Sequence, residues 1–121
     1  MHWLECRDGL HSRWSTCVVT PSEIENASPP GCVLQKFFPA EPAGGVAMLE
    51  AIGRPYAHTG IRFLPLGGIS ASNMPMYLRL PMVVAVGGSW IADCKLIAAE
   101  DWSTITQNAS EAVDCAASAD G

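Results

Sequence analysis

The sequence predicts an α/β fold with parallel strands, and three observations carry that prediction. Strand-like apolar runs alternate with helix-like segments three times, the runs falling at Cys32 to Phe38, Ile61 to Leu66 and Val83 to Val86. The first run is nearly continuously apolar rather than alternating, the pattern of a strand covered on both faces. A glycine pair follows each run: Gly44-Gly45, Gly67-Gly68 and Gly87-Gly88. Repeated strand–helix order implies right-handed crossovers. Parallel strands then put all three glycine loops at one end of the sheet, the end that holds the site in barrel and open α/β architectures alike.

Each element has a local reason. Residues 1 to 17 scatter His2, Trp3, His11 and Trp14 among charges without a period of two or 3.6, so an irregular lead-in is expected. Val18-Val19 ends a strand, and Thr20-Pro21-Ser22-Glu23 starts a short helix: Thr20 caps, Pro21 takes the first helical position, and Glu23 reaches back. Pro29-Pro30-Gly31 cannot continue it, because proline lacks the N–H and clashes with the preceding turn. After the lysine-bearing strand, Val46, Leu49 and Ile52 recur at helical spacing, with Gly53 as the expected stop. Asn73 is the expected N-cap of the next helix, with Pro75 in its first turn and Met74, Tyr77 and Leu78 on its apolar face. The last helix starts near Glu100 or Asp101, and Trp102, Ile105, Ala109 and Val113 mark its stripe. Residues 116 to 121 are small and polar and read as a frayed tail, leaving a domain over 18 to 115.

Composition narrows the function. The chain has 121 residues, enough for one small domain. It is 49% hydrophobic and 16% charged, with a net charge of −5 and no Lys/Arg cluster, which argues against nucleic acid as a partner. No apolar run is long enough to span a bilayer, and Met1 to Arg13 has no apolar core of a secretory signal. The five cysteines, Cys6, Cys17, Cys32, Cys94 and Cys115, form no C-x-x-C pair, and the histidines form no H-x-x-x-H pair. Reduced thiols in a cytoplasmic protein, without a metal, are the simplest account.

Two features carry chemistry. Lys36 sits alone inside the apolar run Leu34-Gln35-Lys36-Phe37-Phe38-Pro39. Apolar surroundings favour a neutral amine, and a neutral amine can attack a ketone to form a Schiff base. The alternative is a surface lysine on an edge strand with its ammonium in water. The second feature is the pair of loops Gly67-Gly68-Ile69-Ser70 and Gly87-Gly88-Ser89, from consecutive strands. Glycines let backbone N–H groups approach an anion, and a following helix N-terminus adds a positive dipole end. Together the loops could cradle one phosphate, with the Ser89 hydroxyl as a further donor; alternatively each pair only makes a tight turn. A doubly wound nucleotide binder is disfavoured because no G-x-G-x-x-G follows any strand.

Lys36-Phe37-Phe38-Pro39-Ala40-Glu41, Gly44-Gly45-Val46, Arg62-Phe63, Pro65, Gly67-Gly68-Ile69-Ser70, Asn73, Tyr77-Leu78 and Gly87-Gly88-Ser89-Trp90 together resemble the 2-keto-3-deoxy-6-phosphogluconate and 4-hydroxy-2-oxoglutarate aldolases, in spacing as well as in letters. Thr20-Pro21-Ser22-Glu23-Ile24 resembles the segment before that family's lysine strand. The resemblance implies a class I aldolase on a (β/α)8 TIM barrel, of which this chain supplies the C-terminal portion, about three to four βα units. It implies that Lys36 is the Schiff-base lysine. It also implies that Gly67, Gly68, Gly87, Gly88 and Ser89 hold the substrate phosphate, and that Phe38, Pro39 and Leu66 position the substrate. The implied partner is a small phosphorylated 2-keto acid, the implied assembly a cytoplasmic homotrimer, and no cofactor is required.

The sequence departs from the family in four places. Leu66 stands where the family usually has threonine, beside the pyruvyl end of the substrate. Pro29-Pro30 interrupts a helix that is normally intact. Residues 1 to 17 offer no match to the family's fifth strand. The general acid/base glutamate and the carboxylate-binding arginine belong to early strands; Glu5-Cys6-Arg7 has the residue types but no strand context. Two functions follow as expectations: an aldolase impaired by truncation, or a non-catalytic half-barrel that binds phosphate or associates with a partner.

Overall fold

The computed structural model of the chain describes residues 14–27 and 33–119. Expectations resting on Glu5-Cys6-Arg7, Pro29-Pro30-Gly31 and Cys32 lie outside these residues. The elements run β1 (Trp14–Val18), α1 (Pro21–Ala27), β2 (Leu34–Phe37), α2 (Gly45–Gly53), a 3-10 segment (Arg54–Thr59), β3 (Arg62–Pro65), α3 (Met74–Leu78), a second 3-10 segment (Ser89–Ala92), α4 (Cys94–Ala98) and α5 (Trp102–Ala119). The three strands form a parallel sheet in the order β1-β2-β3. The strand before the lysine strand is therefore present, and residues 14 to 17 are not the irregular lead-in expected. Ser15 and Thr16 break its apolar run, and its register shifts between Trp14 and Cys17, so pairing with β2 rather than local pattern defines it.

The entry to α1 follows the capping-box expectation. The Glu23 N–H donates to Thr20 Oγ1 at 3.3 Å, and Glu23 Oε2 accepts from the N–H groups of Thr20 (3.1 Å) and Val19 (2.6 Å). α2 ends at Gly53 as expected, but not through a left-handed glycine. Gly53 keeps right-handed dihedrals and the chain runs on into the 3-10 segment, which ends at Gly60 with φ +79°. Gly53 is small for packing instead, since a Cβ there would stand 3.3 Å from the Phe63 ring.

Alternation along the strands separates two faces. Gln35 and Phe37 of β2, Phe63 and Pro65 of β3, and Val18 of β1 are buried on one face. Ile24 of α1, Leu49 and Ile52 of α2, and Tyr77 of α3 join the hydrophobic residues of that face in one core. The other face carries Lys36 and Leu64, both half-buried, with Cys17 and Arg62 exposed.

The expected third strand, Val83 to Val86, is reduced to a single parallel bridge between Val83 and Phe63. Three backbone bonds still lay it along β3: Phe63 N–H to Met82 O (2.7 Å), Val84 N–H to Phe63 O (3.1 Å) and Gly87 N–H to Pro65 O (3.2 Å). With β3 its one bonded strand among the described residues and Val84 52% exposed, it lies at the rim of the described sheet. The expected frayed tail is also corrected: α5 continues through residues 116 to 119. No helix among the described residues is long and apolar enough to cross a membrane.

Candidate active site

Lys36 lies on the middle strand, in register with Cys17 on one side and Leu64 on the other. This removes the edge-strand alternative. Residues two apart in an extended chain point the same way, and the Lys36 Nζ stands 5.0 Å from the centroid of the Phe38 ring. At that distance the ring face attracts the ammonium form. Phe38 is 43% exposed, so the pair sits at the open C-terminal end of β2.

Backbone hydrogen bonds stitch the turn after β2 to the turn after β3. The Leu66 N–H donates to Phe37 O (2.9 Å), the Ala40 N–H to Leu66 O (2.7 Å), and the Glu41 N–H to Gly67 O (3.0 Å). Gly67 adopts φ +99° and Gly68 φ +76°, dihedrals that glycine takes without steric cost. A Cβ on Gly67 would also come within 2.9 Å of Pro39 Cα. The glycine there is what lets the two turns touch, and it brings Phe38, Pro39, Leu66 and Gly67 into one cluster.

The second glycine pair closes on the first. A Cβ on Gly87 would lie 2.9 Å from Leu66 Cδ2, and one on Gly88 would lie 2.9 Å from the Ile69 carbonyl oxygen. Among the described residues, the N–H groups of Gly67, Gly68 and Gly88 make no backbone hydrogen bond. Ser89 follows, exposed, at the head of the second 3-10 segment. The expected helix-dipole contribution is smaller than the sequence suggests, because α3 has five residues and the 3-10 segment four. So few aligned peptides sum to little dipole, and amides and the Ser89 hydroxyl are the donors this end of the sheet offers.

Two side-chain arrangements escaped the sequence reading. Asn73 does not cap α3 with its side chain. Its Oδ1 accepts from the Ser70 N–H at 2.8 Å and its Nδ2 donates to Gly68 O at 2.9 Å, so it braces the glycine loop from inside. The five-residue separation of Gly68 and Asn73 is consistent with either role, and only the loop's curl selects the brace. Tyr77, expected as part of an apolar face, is fully buried but donates its hydroxyl to Glu41 Oε1 at 2.5 Å. Burial, reinforced by that carboxylate, pushes the Tyr77 phenol well above its usual range. Among the described residues no group of three or more His, Cys, Asp or Glu could hold a metal ion.

These features define a parallel α/β protein whose candidate site residues gather at the C-terminal end of its strands. A family model for KDPG and KHG aldolase matches residues 9–108, and the chain belongs to that aldolase family. The 2-dehydro-3-deoxy-phosphogluconate aldolase of Treponema pallidum is 46% identical over 89 residues, 74% of this chain and 41% of that protein. The KHG/KDPG aldolase of Escherichia coli K12 is 42% identical over 97 residues, 80% of this chain and 45% of that protein. Among solved structures, KDPG aldolase from Legionella pneumophila, with pyruvate captured as a covalent carbinolamine, superposes with a TM-score of 0.70 at 40% identity, covering 84% of this chain and 45% of that one. The Zymomonas mobilis aldolase with 3-phosphoglycerate gives 0.69 at 31% identity, over 79% and 44%. The chain thus spans less than half the length of the relatives it matches.

Proposed function

We propose that this chain supplies the Schiff-base and phosphate-binding portion of a class I aldolase that cleaves 2-keto-3-deoxy-6-phosphogluconate to pyruvate and glyceraldehyde 3-phosphate. The observation that carries this reading is the position of Lys36 on the central strand, beside Phe38, with the turn that follows it packed against Gly67. The Lys36 amine attacks the C2 ketone and forms a carbinolamine, and loss of water gives the protonated imine. A base removes the C4 hydroxyl proton, the C3–C4 bond breaks, and its electrons flow into the imine. The aldehyde leaves as glyceraldehyde 3-phosphate. The remaining enamine takes a proton at C3, and hydrolysis frees pyruvate and the amine.

Lys36 and its surroundings supply the nucleophile and the electron sink. Phe38, Pro39 and Leu66 line the pyruvyl end, and the loops Gly67-Gly68 and Gly87-Gly88 receive the phosphate through the amides of Gly67, Gly68 and Gly88 and the Ser89 hydroxyl, the Gly87 amide being held by Pro65 O. The carbinolamine in the Legionella pneumophila relative and the phosphorylated ligand in the Zymomonas mobilis relative support both halves of this assignment. Glu41 is committed to Tyr77 and belongs to the scaffold; proton transfer falls to the glutamate of the barrel's earlier strands. A (β/α)8 barrel, a homotrimer and a cytoplasmic setting for sugar-acid breakdown complete the reading by family likeness. The second reading, a non-catalytic phosphate-binding or partner-associating half-barrel, is favoured by the chain's span of under half its relatives.

Incubation with pyruvate and borohydride, followed by mass spectrometry, tests the proposal. An irreversible adduct on Lys36, absent from Lys36→Ala, is the expected result. A well-folded chain without the adduct would exclude the Schiff-base role.

A further inference from the structure

We propose that Glu41 and Tyr77 act as positioning residues for phosphate: their hydrogen bond holds the Gly67–Gly68 loop against the turn that follows the lysine strand. This rests on the aldolase reading above and adds to it a device that reaches the ligand only through the loop. Glu41 lies five residues after Lys36, and its side chain crosses from the turn after β2 to α3, which follows β3. Tyr77 is buried throughout its ring, yet its hydroxyl meets Glu41 Oε1. The Glu41 stem presses on the loop itself, since a Cβ on Gly68 would stand 2.7 Å from Glu41 Cβ. Gly45 borders the pair: a Cβ there would make ordinary contact, 3.4 Å from Glu41 Oε1 and 3.5 Å from Tyr77 Oη.

The arrangement resolves an electrostatic conflict. A carboxylate beside an anion-receiving loop repels the anion. The phenol, kept protonated by burial and by the carboxylate, donates to Glu41 Oε1 and ties that oxygen to α3. Losing the hydroxyl frees both the carboxylate and the stem under Gly68. The Lys36 amine, held by β2, does not depend on either group.

Titration of the intact chain with inorganic phosphate, followed through the amide signals of Gly67 and Gly68 with Gly60 as a distant control, reads this directly. Tyr77→Phe and Glu41→Ala are expected to weaken phosphate at least fivefold. Glu41→Gln keeps an accepting oxygen and is expected to stay within twofold. The Lys36 adduct with pyruvate, which has no phosphate, is expected to form equally in all of them. Unchanged phosphate affinity in Tyr77→Phe overturns the proposal, as does a wild-type loop that ignores phosphate. Parallel loss of phosphate binding and pyruvate adduct reduces the pair to general scaffolding and overturns it as well. Failure of the wild-type adduct strikes the aldolase reading instead, and the phosphate titration still decides the role of the pair.

Discussion

Gly67 concentrates the steric demands of the site in one residue. Its φ of +99° lies where side-chain-bearing residues are strained, and its missing Cβ leaves room for the Pro39 backbone. Neither demand can be relaxed by rotating a side chain, because the atom in the way is Pro39 Cα. Gly67→Ala is therefore expected to destabilise the chain by roughly 1–3 kcal/mol, read as a lower urea midpoint at unchanged slope. The same substitution should separate the two turns and weaken phosphate. At this scale the sequence was informative about identity and silent about partners. Lys36 stood out as a lone cation in an apolar run and the glycine pairs by recurring after each strand-like run, while their roles came from the family resemblance. The Glu41–Tyr77 bond spans 36 residues of chain, and no local pattern marks a tyrosine hydroxyl that finds a carboxylate across a fold.

Short elements surround the site, and their ends are held by side chains. Asp101 shows how. Its Oδ1 accepts from the Thr104 N–H at 3.2 Å and its Oδ2 from the Thr104 hydroxyl at 2.7 Å, at the entrance to α5. The Thr104 side chain and amide together, with Ser103 adding to them, hold the Asp101 carboxyl below its usual range. The ionised form is thus favoured by folding. Its stabilising effect is complete above the ordinary carboxylate range and is lost as pH falls through the lowered value. Exchange protection of the Thr104 amide should fade over that acid window in the wild type and show no such step in Asp101→Asn. The start of α5 and the capping box of α1 were legible because both are written within four residues. Of β1 only the end at Val18 was, because its pairing with β2 overrides a polar run before it. α4 was not, because a five-residue helix capped by Asp93 leaves too short a period to detect.

The whole molecule is a layer with one finished side. Helices cover the face that buries Phe37 and Phe63, while the face of Lys36 and Leu64 is only half-covered. Val84, Trp102 and Val113 add exposed apolar surface at 52%, 57% and 67%. Such surface favours association, so sedimentation should detect species larger than the monomer. With proton transfer assigned to the glutamate of the barrel's earlier strands, as proposed above, retro-aldol cleavage by these 121 residues alone should run ~10²–10⁴ below that of an intact relative, a gap measurable with a coupled aldehyde assay. Turnover within tenfold of the intact enzyme would contradict it.

The bonds from Ala40 to Leu66 and from Glu41 to Gly67 are main-chain to main-chain, and for the proposed reaction they act as a ruler. They fix the distance from the attacking amine to the phosphate loop in units of peptide geometry. Exchanging side chains can sharpen or blur the choice between sugar acids of one length, but it cannot lengthen the span. A variant accepting a substrate one carbon longer would need a residue inserted in one of the two turns. In this family, then, changes of substrate length should track insertions and deletions rather than substitutions.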